Sequence, residues 1–241
     1  MFYYGYGYLQ YLLFAAPVLV FSIFAQILVK SSYKKYSSIL NEKHLTGAQA
    51  AKRVLDHYGI SGVRIEAIQG KLSDNYDPRD KVIRLSYEVF SGTSIAAIGI
   101  ACHEAGHAAQ HAEDYLPNKI RSSLVPVTNF GSRFGLIIAF IGYFLSFAVY
   151  SSISYYIIIF GLALYGLVAL FQFVTLPVEF NASKRAMDVI EETGMLASDE
   201  VSGARKVLTA AAMTYVAALA TALINLLYYA TRLLSNSRRR N

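Results

Sequence analysis

Long apolar stretches alternate with polar segments along this chain. Residues 1–29, 134–178 and 207–231 contain no Asp, Glu, Lys or Arg. A helix that crosses a bilayer needs about 20 apolar residues, so the first and third stretches predict one spanning helix each and the second predicts two, joined by a tight turn near residues 151–152. We place the spanning helices at roughly 9–29, 134–149, 153–176 and 207–229.

The first polar segment, residues 31–133, shows helical periodicity in two places. Apolar residues recur at helical spacing after Thr46 and stop at Gly59, which predicts one helix. Residues 95–102 are also apolar, and residues 91–94 before them offer side chains that can cap a helix N-terminus. We therefore predict a second helix that begins near residue 95.

Two short strands are predicted between these helices. Residues 63–67 alternate between apolar and charged side chains, and residues 82–85 are mostly apolar. We expect the second strand to pair with residues 71–73, and the turn-forming residues 75–80 to lie between the paired segments. The first polar segment is therefore expected to form a small α+β domain.

Composition and charge support a membrane protein. Hydrophobic residues make up 55% of the chain and charged residues 16%, whereas soluble domains carry about 25% charged residues. The net charge of +6 does not indicate nucleic-acid binding, because the basic residues flank apolar stretches and no aromatic-rich RNA-binding motif accompanies them. These flanking residues are Lys30, Lys34, Lys35, Arg121, Arg133, Lys184, Arg185, Arg205 and Lys206.

The basic residues also predict a topology. An even number of spans separates the polar segments 31–133 and 177–206, so both face the same side, and their basic residues favour the cytoplasm. Arg232 and residues 238–240 argue for the reverse, unless the last apolar stretch lies in the membrane interface. The chain begins with tyrosines and no basic residue, so we interpret residues 1–30 as a retained anchor and not as a cleaved signal peptide.

Catalytic chemistry is predicted from His103-Glu104-Ala105-Gly106-His107. Residues four apart lie on the same face of a helix, so both imidazoles can reach one metal ion. Glu104 can reach a water bound to that metal, and this His-Glu-x-x-His pattern is typical of zinc hydrolases, in which the carboxylate is the general base. The lone cysteine, Cys102, points in another direction on the helix. We interpret it as a buried packing residue, with a metal ligand as the alternative.

A catalytic zinc needs a third protein ligand from elsewhere in the chain. The longer metzincin pattern would need His at position 113, which is Glu. His111 lies one turn beyond His107, too far along the helix for the same metal. Glu179 is the better candidate, because it directly follows the apolar stretch 134–178, where an acid is costly without a partner. The alternative is an interfacial carboxylate that reaches out to water.

Motifs along nearly the whole chain resemble those of the YugP-type membrane-bound neutral zinc metallopeptidases. They are Asp77-Pro78, Arg84-Leu85-Ser86, residues 103–110, Arg121 with residues 124–126, residues 176–186, residues 191–194 and residues 204–208. More distantly, Glu179 followed by Ala182 resembles the Glu-x-x-Ala-Asp segment of HtpX-type gluzincins. The resemblance implies a zinc ion held by His103, His107 and Glu179, with Glu104 as the base.

Two positions depart from these patterns. The family usually has Asp where this chain has Asn181, and the HtpX-type Asp falls on Ser183. Either side chain can still orient a ligand through a hydrogen bond, although neither carries a charge.

The expected fold is a mainly α membrane protein with about four transmembrane helices and a small α+β zincin-like catalytic domain that carries the His-Glu-x-x-His helix. The expected segments are an N-terminal anchor (1–30), a zincin-like catalytic segment (31–133), a transmembrane hairpin (134–176), a third-ligand segment (177–206) and a C-terminal transmembrane or interfacial helix with a basic tail (207–241).

The predicted function is that of a membrane-embedded endopeptidase with one Zn2+ per chain, in which Glu104 activates the zinc-bound water. We expect it to be a multi-pass protein of the cell membrane that cleaves proteins or peptides, membrane proteins among them, near the cytoplasmic membrane surface. The alternative is a non-proteolytic zinc-binding membrane scaffold. That alternative is disfavoured because a structural zinc site needs no base beside its ligands.

An oxyanion stabiliser in addition to zinc is also expected. Tyr76, His111, Arg185 and Tyr215 are equal candidates. Each also has an ordinary interpretation, as a turn tyrosine, a solvated histidine, a basic residue beside the membrane and a core tyrosine respectively. We further expect residues 82–85 to form a sheet edge that pairs with an extended substrate.

Overall fold

The computed structural model describes the backbone of residues 3–148 and 152–238 and the side chains of residues 12–147 and 152–231. Its elements are α1 (Tyr3–Tyr36), α2 (Gly47–His57), β1 (Arg64–Ile68), β2 (Asn75–Asp77), β3 (Val82–Ser86), α3 (Tyr87–Phe90), α4 (Ile95–Ala112), α5 (Leu116–Ala148), α6 (Ser152–Glu192) and α7 (Ser198–Arg238). The side chains of the N-terminal tyrosines and C-terminal arginines, and the turn residue at 151, lie outside the described residues.

Four of the described helices are long and apolar enough to cross a membrane. The segments are Leu12–Tyr36, Leu116–Phe147, Ser152–Glu192 and Ser198–Thr231. Helix α6 has 41 residues, which corresponds to about 60 Å at about 1.5 Å per residue and is twice the thickness of the hydrocarbon core. The expected fold class, a mainly α membrane protein with about four spanning helices and a small α+β part, is confirmed.

The chain divides into two compact units. The span unit comprises Met1–Phe24, Ile120–Thr175 and Tyr215–Asn241. The site unit comprises Ala25–Lys119 and Leu176–Thr214. Helices α1, α5, α6 and α7 contribute residues to both units.

Within the span unit, glycines let α5 and α6 approach backbone to backbone. A Cβ atom on Gly161 would overlap the backbone nitrogen of Ala139, and one on Gly142 would lie 2.8 Å from the backbone nitrogen of Ile158. Small residues at helix contacts permit the close packing that drives helix association in membranes. In the predicted transmembrane hairpin, α5 and α6 therefore pack with their backbones in contact at these glycines.

The sheet of the site unit has the strand order β1-β3-β2. Strand β1 runs parallel to β3, and β2 runs antiparallel to it, with Tyr76 opposite Ile83. Two expectations about β3 are therefore wrong: its antiparallel partner is Asn75–Asp77 and not residues 71–73, and it is the central strand and not an edge.

Side-chain hydrogen bonds explain why residues 74–77 join the sheet despite their turn-forming composition. The Asp74 carboxylate accepts the backbone N–H of Ser86 at 2.7 Å. The Arg84 guanidinium donates to the Asp77 carboxylate at 3.1 Å. These acidic side chains tie the segment to β3.

Helices α2 and α4 of the site unit begin where the sequence predicts. Thr46 and Gln49 form a reciprocal capping box at the start of α2, and the Ser94 hydroxyl accepts the backbone N–H of Ala97 at the start of α4. The apolar faces of α2, α4 and β3 are fully buried against one another and include Val54 and Ile98. This core fixes the position of α4, which carries the His-Glu-x-x-His motif.

Candidate metal centre

Helix α4 presents both histidines of the motif on one face. The rings of His103 and His107 lie with their centroids 4.7 Å apart and nearly perpendicular to each other. The opposite face of α4 is lined by small residues such as Ala101 and Ala105 that are fully buried. The burial of that face directs the histidines to the other side, toward α6.

The three expected ligands come together in the site unit. Nε2 of His103 lies 3.3 Å from Oε2 of Glu179, and Nε2 of His107 lies 3.6 Å from the same oxygen. The three ligand atoms all lie within 4.8 Å of one another. The Glu179 side chain is only 3% exposed. It comes from α6, which is distant in sequence from the motif on α4.

The two distances from imidazole nitrogen to carboxylate oxygen fit a zinc ion. Two ligand atoms at about 2.0–2.2 Å from a tetrahedral zinc are separated by roughly 3.3–3.6 Å. Two imidazole nitrogens and one carboxylate oxygen are also the ligand set of many catalytic zinc sites. The histidine side chains remain 15% and 14% exposed, so the cluster is accessible from one side.

Gly106 makes this convergence possible. An ideal Cβ at this position would lie 2.6 Å from the carbonyl oxygen of Ala182 and 3.3 Å from its carbonyl carbon. Helices α4 and α6 therefore touch through their backbones beside the cluster of His103, His107 and Glu179. A side chain at position 106 would therefore require the backbone of α4 or α6 to shift beside the histidines and Glu179.

The outer nitrogen of each histidine has a hydrogen-bond partner. Nδ1 of His103 lies 3.1 Å from the hydroxyl of Ser183, and Nδ1 of His107 lies 3.0 Å from Oε1 of Gln110. Both Nε2 atoms therefore face Glu179, and both Nδ1 atoms form hydrogen bonds on the far side of the ring. Partners of this kind fix the ring orientation of metal-binding histidines.

Asn181 and Arg185 belong to a second layer around the cluster. The Asn181 side-chain oxygen accepts from Gln110 Nε2 at 3.0 Å and from Arg185 Nε at 2.8 Å. The Arg185 guanidinium also donates to the Glu113 carboxylate at 2.6 Å and lies over the ring of Tyr58. This network links the C-terminal end of α4 to α6.

Tyr76 and His111, two separate candidates in the sequence, lie side by side. The Tyr76 hydroxyl lies 2.7 Å from Nδ1 of His111. Burial, together with the Asp77 carboxylate, raises the pKa of Tyr76 above its usual value. The hydroxyl therefore stays protonated at neutral pH.

The remaining candidates are placed as follows. Glu104 is half-buried on α4, directly beside His103. Tyr215 is half-buried in α7 and belongs to the span unit. Cys102 is fully buried, and burial raises the pKa of its thiol. The catalytic or positioning roles of these residues stay predictions.

Two residues of the site were not predicted to have a role. Gln110 follows His107 by three residues, a spacing that brings side chains together on a helix, and it stands after two alanines. Gly106 fills one of the variable positions of the motif. The spacing of Gln110 was a usable signal, whereas the role of Gly106 depends on α6, which is distant in sequence.

Comparison with known proteins identifies the family of this chain. Residues 11–234 match the family model described as "Putative neutral zinc metallopeptidase". The chain belongs to this family. The predicted resemblance and the predicted zinc cofactor are thereby confirmed, and the family's zinc agrees with the histidine and glutamate cluster described above.

A curated relative supports the same assignment. The chain is 42% identical over 208 residues to the "Putative membrane protease YugP" of Bacillus subtilis (strain 168), which covers 86% of this chain and 89% of that protein. No solved structure matches the chain. Together with the four apolar helices, this similarity makes the chain a membrane protein of the zinc metallopeptidase family.

Proposed function

We propose that this protein is a membrane-embedded zinc endopeptidase that hydrolyses peptide bonds of protein or peptide substrates. The observation that supports it most directly is the convergence of His103, His107 and Glu179, in which both imidazole Nε2 atoms lie 3.3 and 3.6 Å from one carboxylate oxygen. Glu104 stands beside this cluster on the same helix. A structural zinc site has no need of that carboxylate.

The proposed roles follow from the chemistry of each side chain. Nε2 of His103, Nε2 of His107 and the carboxylate of Glu179 hold the metal. Zinc supplies a Lewis acid that polarises a peptide carbonyl and lowers the pKa of water. The carboxylate of Glu104 takes the proton from the attacking water and delivers it to the leaving amine.

Tyr76 and His111 are the proposed partners of the developing oxyanion. The protonated Tyr76 hydroxyl and the His111 ring are hydrogen-bonded to each other at the end of α4 that follows the metal motif, so the pair keeps one further N–H or O–H that can donate to an oxyanion. Arg185 is instead assigned to holding the helices together, because its guanidinium is engaged by Glu113 and Asn181. Strand β2 carries Tyr76 at an edge of the sheet, so β2 is the proposed pairing site for an extended substrate.

Cleavage is proposed to occur near the cytoplasmic membrane surface. Glu179 follows the apolar stretch 134–178 directly, which favours substrates that are themselves membrane proteins. The positive-inside bias favours a cytoplasmic location of the polar segments.

Cysteine labelling tests this topology, because native Cys102 is buried and should not react with the label. Cysteine at the exposed position of Lys52 should react with an impermeant maleimide in inside-out vesicles and not in intact cells.

A cleavage assay with purified protein in detergent tests the proposed activity. The substrate is an unfolded, fluorescently labelled protein, and zinc content is measured on the same samples for the wild type and Glu104→Gln. We expect about one zinc per chain in both, and cleavage by the wild type alone. Cleavage should be lost with a chelator and restored by added zinc.

The outcomes separate the proposal from its main alternative. Cleavage that persists in Glu104→Gln would show that another residue acts as the base. If both proteins bind zinc and neither cleaves the labelled protein or its own chain, the non-proteolytic zinc-binding scaffold becomes the better account. If neither binds zinc, the ligand assignment is wrong.

A further inference from the structure

We propose that Gln110 is a positioning residue that fixes the tautomer of His107, so that Nε2 is left free to bind zinc. The inference rests on the proposed zinc site but assigns a role that the site's ligands do not define. Gln110 is fully buried on α4, three residues after His107. Its side-chain amide makes three hydrogen bonds, and the donor and acceptor roles in two of them determine the roles in the third.

The carbonyl of Val178 fixes the orientation of the Gln110 amide. The backbone oxygen of Val178 lies 2.7 Å from Gln110 Nε2. A carbonyl oxygen only accepts, so the amide nitrogen must face it. The amide oxygen then points to the opposite side, where Nδ1 of His107 lies 3.0 Å away.

Arg185 fixes the same orientation independently. A guanidinium only donates, so the Asn181 atom that lies 2.8 Å from Arg185 Nε must be the amide oxygen. The same oxygen lies 3.0 Å from Gln110, which must therefore present its NH2 group there as well. Both hydrogens of the Gln110 amide are used, and only its oxygen is available to His107.

The consequence for His107 follows directly. Because an amide oxygen cannot donate, Nδ1 of His107 must carry the proton in its hydrogen bond to Gln110. In the neutral ring Nε2 is then unprotonated, and it is the nitrogen that faces Glu179 at 3.6 Å. The buried network thus selects the one neutral tautomer that can bind zinc through Nε2.

His103 is held by a different kind of partner. Its Nδ1 faces the hydroxyl of Ser183, which can either donate or accept. Ser183 is therefore compatible with both neutral tautomers of His103. Tautomer selection in this site is carried by Gln110 on the second histidine.

Two substitutions at Gln110 distinguish its role as the hydrogen-bond acceptor for His107 from its role in holding α6. Gln110→Met keeps a similar length and removes the acceptor and both donors. Gln110→Glu keeps an acceptor for the His107 ring but loses the amide donors to Val178 and Asn181. Zinc affinity is measured by competition with a chromogenic chelator, and thermal unfolding of the zinc-free proteins in detergent shows whether each variant folds.

We expect Gln110→Met to weaken zinc binding about 10- to 100-fold, the usual range for the loss of an outer-shell partner. Gln110→Glu should lose clearly less. Equal losses in both variants would mean that Gln110 acts only by holding α6, which overturns the proposal. Unchanged affinity in Gln110→Met would overturn it as well.

The tautomer of His107 can also be measured on the wild type itself. Protein labelled with 15N-histidine and loaded with zinc is examined by NMR, with Gln110→Met used to assign the His107 ring signals if that variant folds. We expect a protonated Nδ1 and a metal-bound Nε2 for His107; metal binding through Nδ1 would overturn the proposal. If the wild type binds no zinc at all, the proposed function fails instead, and the two failures are thus distinguished.

Discussion

The backbone contact at Gly106 leads to a quantitative prediction. In Gly106→Ala the new Cβ would lie 2.6 Å from the Ala182 carbonyl oxygen, about 0.9 Å closer than an ordinary contact of about 3.5 Å. Helices α4 and α6 must therefore separate by a large part of this distance. Zinc sites tolerate errors in ligand position of only about 0.2 Å, so His103, His107 and Glu179 can meet around one metal only if the separated helices are brought together again.

The expected magnitude follows from the strain. Overpacking by one methyl group costs about 1–3 kcal/mol, and the higher helix propensity of Ala returns up to about 1 kcal/mol of folding free energy. To bind zinc, the variant must bring the two helices together again at the cost of the overpacking strain of about 1–3 kcal/mol. At tenfold per 1.4 kcal/mol, this strain corresponds to roughly a 5- to 150-fold loss of zinc affinity.

Gly99→Ala is the matched control on the same helix. A Cβ at Gly99 would meet the Cβ of Ala204 at 3.5 Å, which is an ordinary contact. Zinc affinity by chelator competition and the midpoint of thermal unfolding are measured for both variants in detergent. We expect Gly99→Ala to bind zinc like the wild type. The reasoning is refuted if Gly106→Ala binds zinc as tightly as Gly99→Ala.

Three further predictions concern other parts of the molecule. Burial raises the pKa of the Cys102 thiol, so iodoacetamide should label it only after unfolding; rapid labelling of the native protein would contradict the assigned burial. Tyr76→Phe should lower kcat about 10- to 100-fold without loss of zinc if Tyr76 stabilises the oxyanion, and an unchanged kcat would exclude that role. Gly161→Ala should lower the Tm because its Cβ would overlap the backbone of α5, whereas Gly166→Ala has space for the Cβ; equal Tm values would count against the tight hairpin.

The cluster of His103, His107 and Glu179 could be predicted because two different local signals were available. The four-residue spacing of His103 and His107 places both on one helix face. Glu179 stands out as a charged side chain at the end of a long apolar stretch. Burial of such a group is costly without a partner, so its position alone indicated one.

The strand pairing and the orientation of the ligands could not be predicted in the same way. Residues 75–77 have turn-forming composition, and they join the sheet through contacts of Asp74 and Asp77 with β3. The roles of Gly106 and Gln110 depend on the carbonyl groups of Ala182 and Val178 in α6. Backbone carbonyls of a distant helix carry no sequence signal.

The most direct test of the metal centre is X-ray absorption at the zinc edge of the zinc-loaded protein in detergent. The ligand set of His103, His107 and Glu179 predicts two imidazoles together with oxygen donors at about 2.0–2.2 Å, including a position open to solvent. A sulfur shell at about 2.3 Å would place Cys102 on the metal. That result, or a single imidazole, would contradict the site described here.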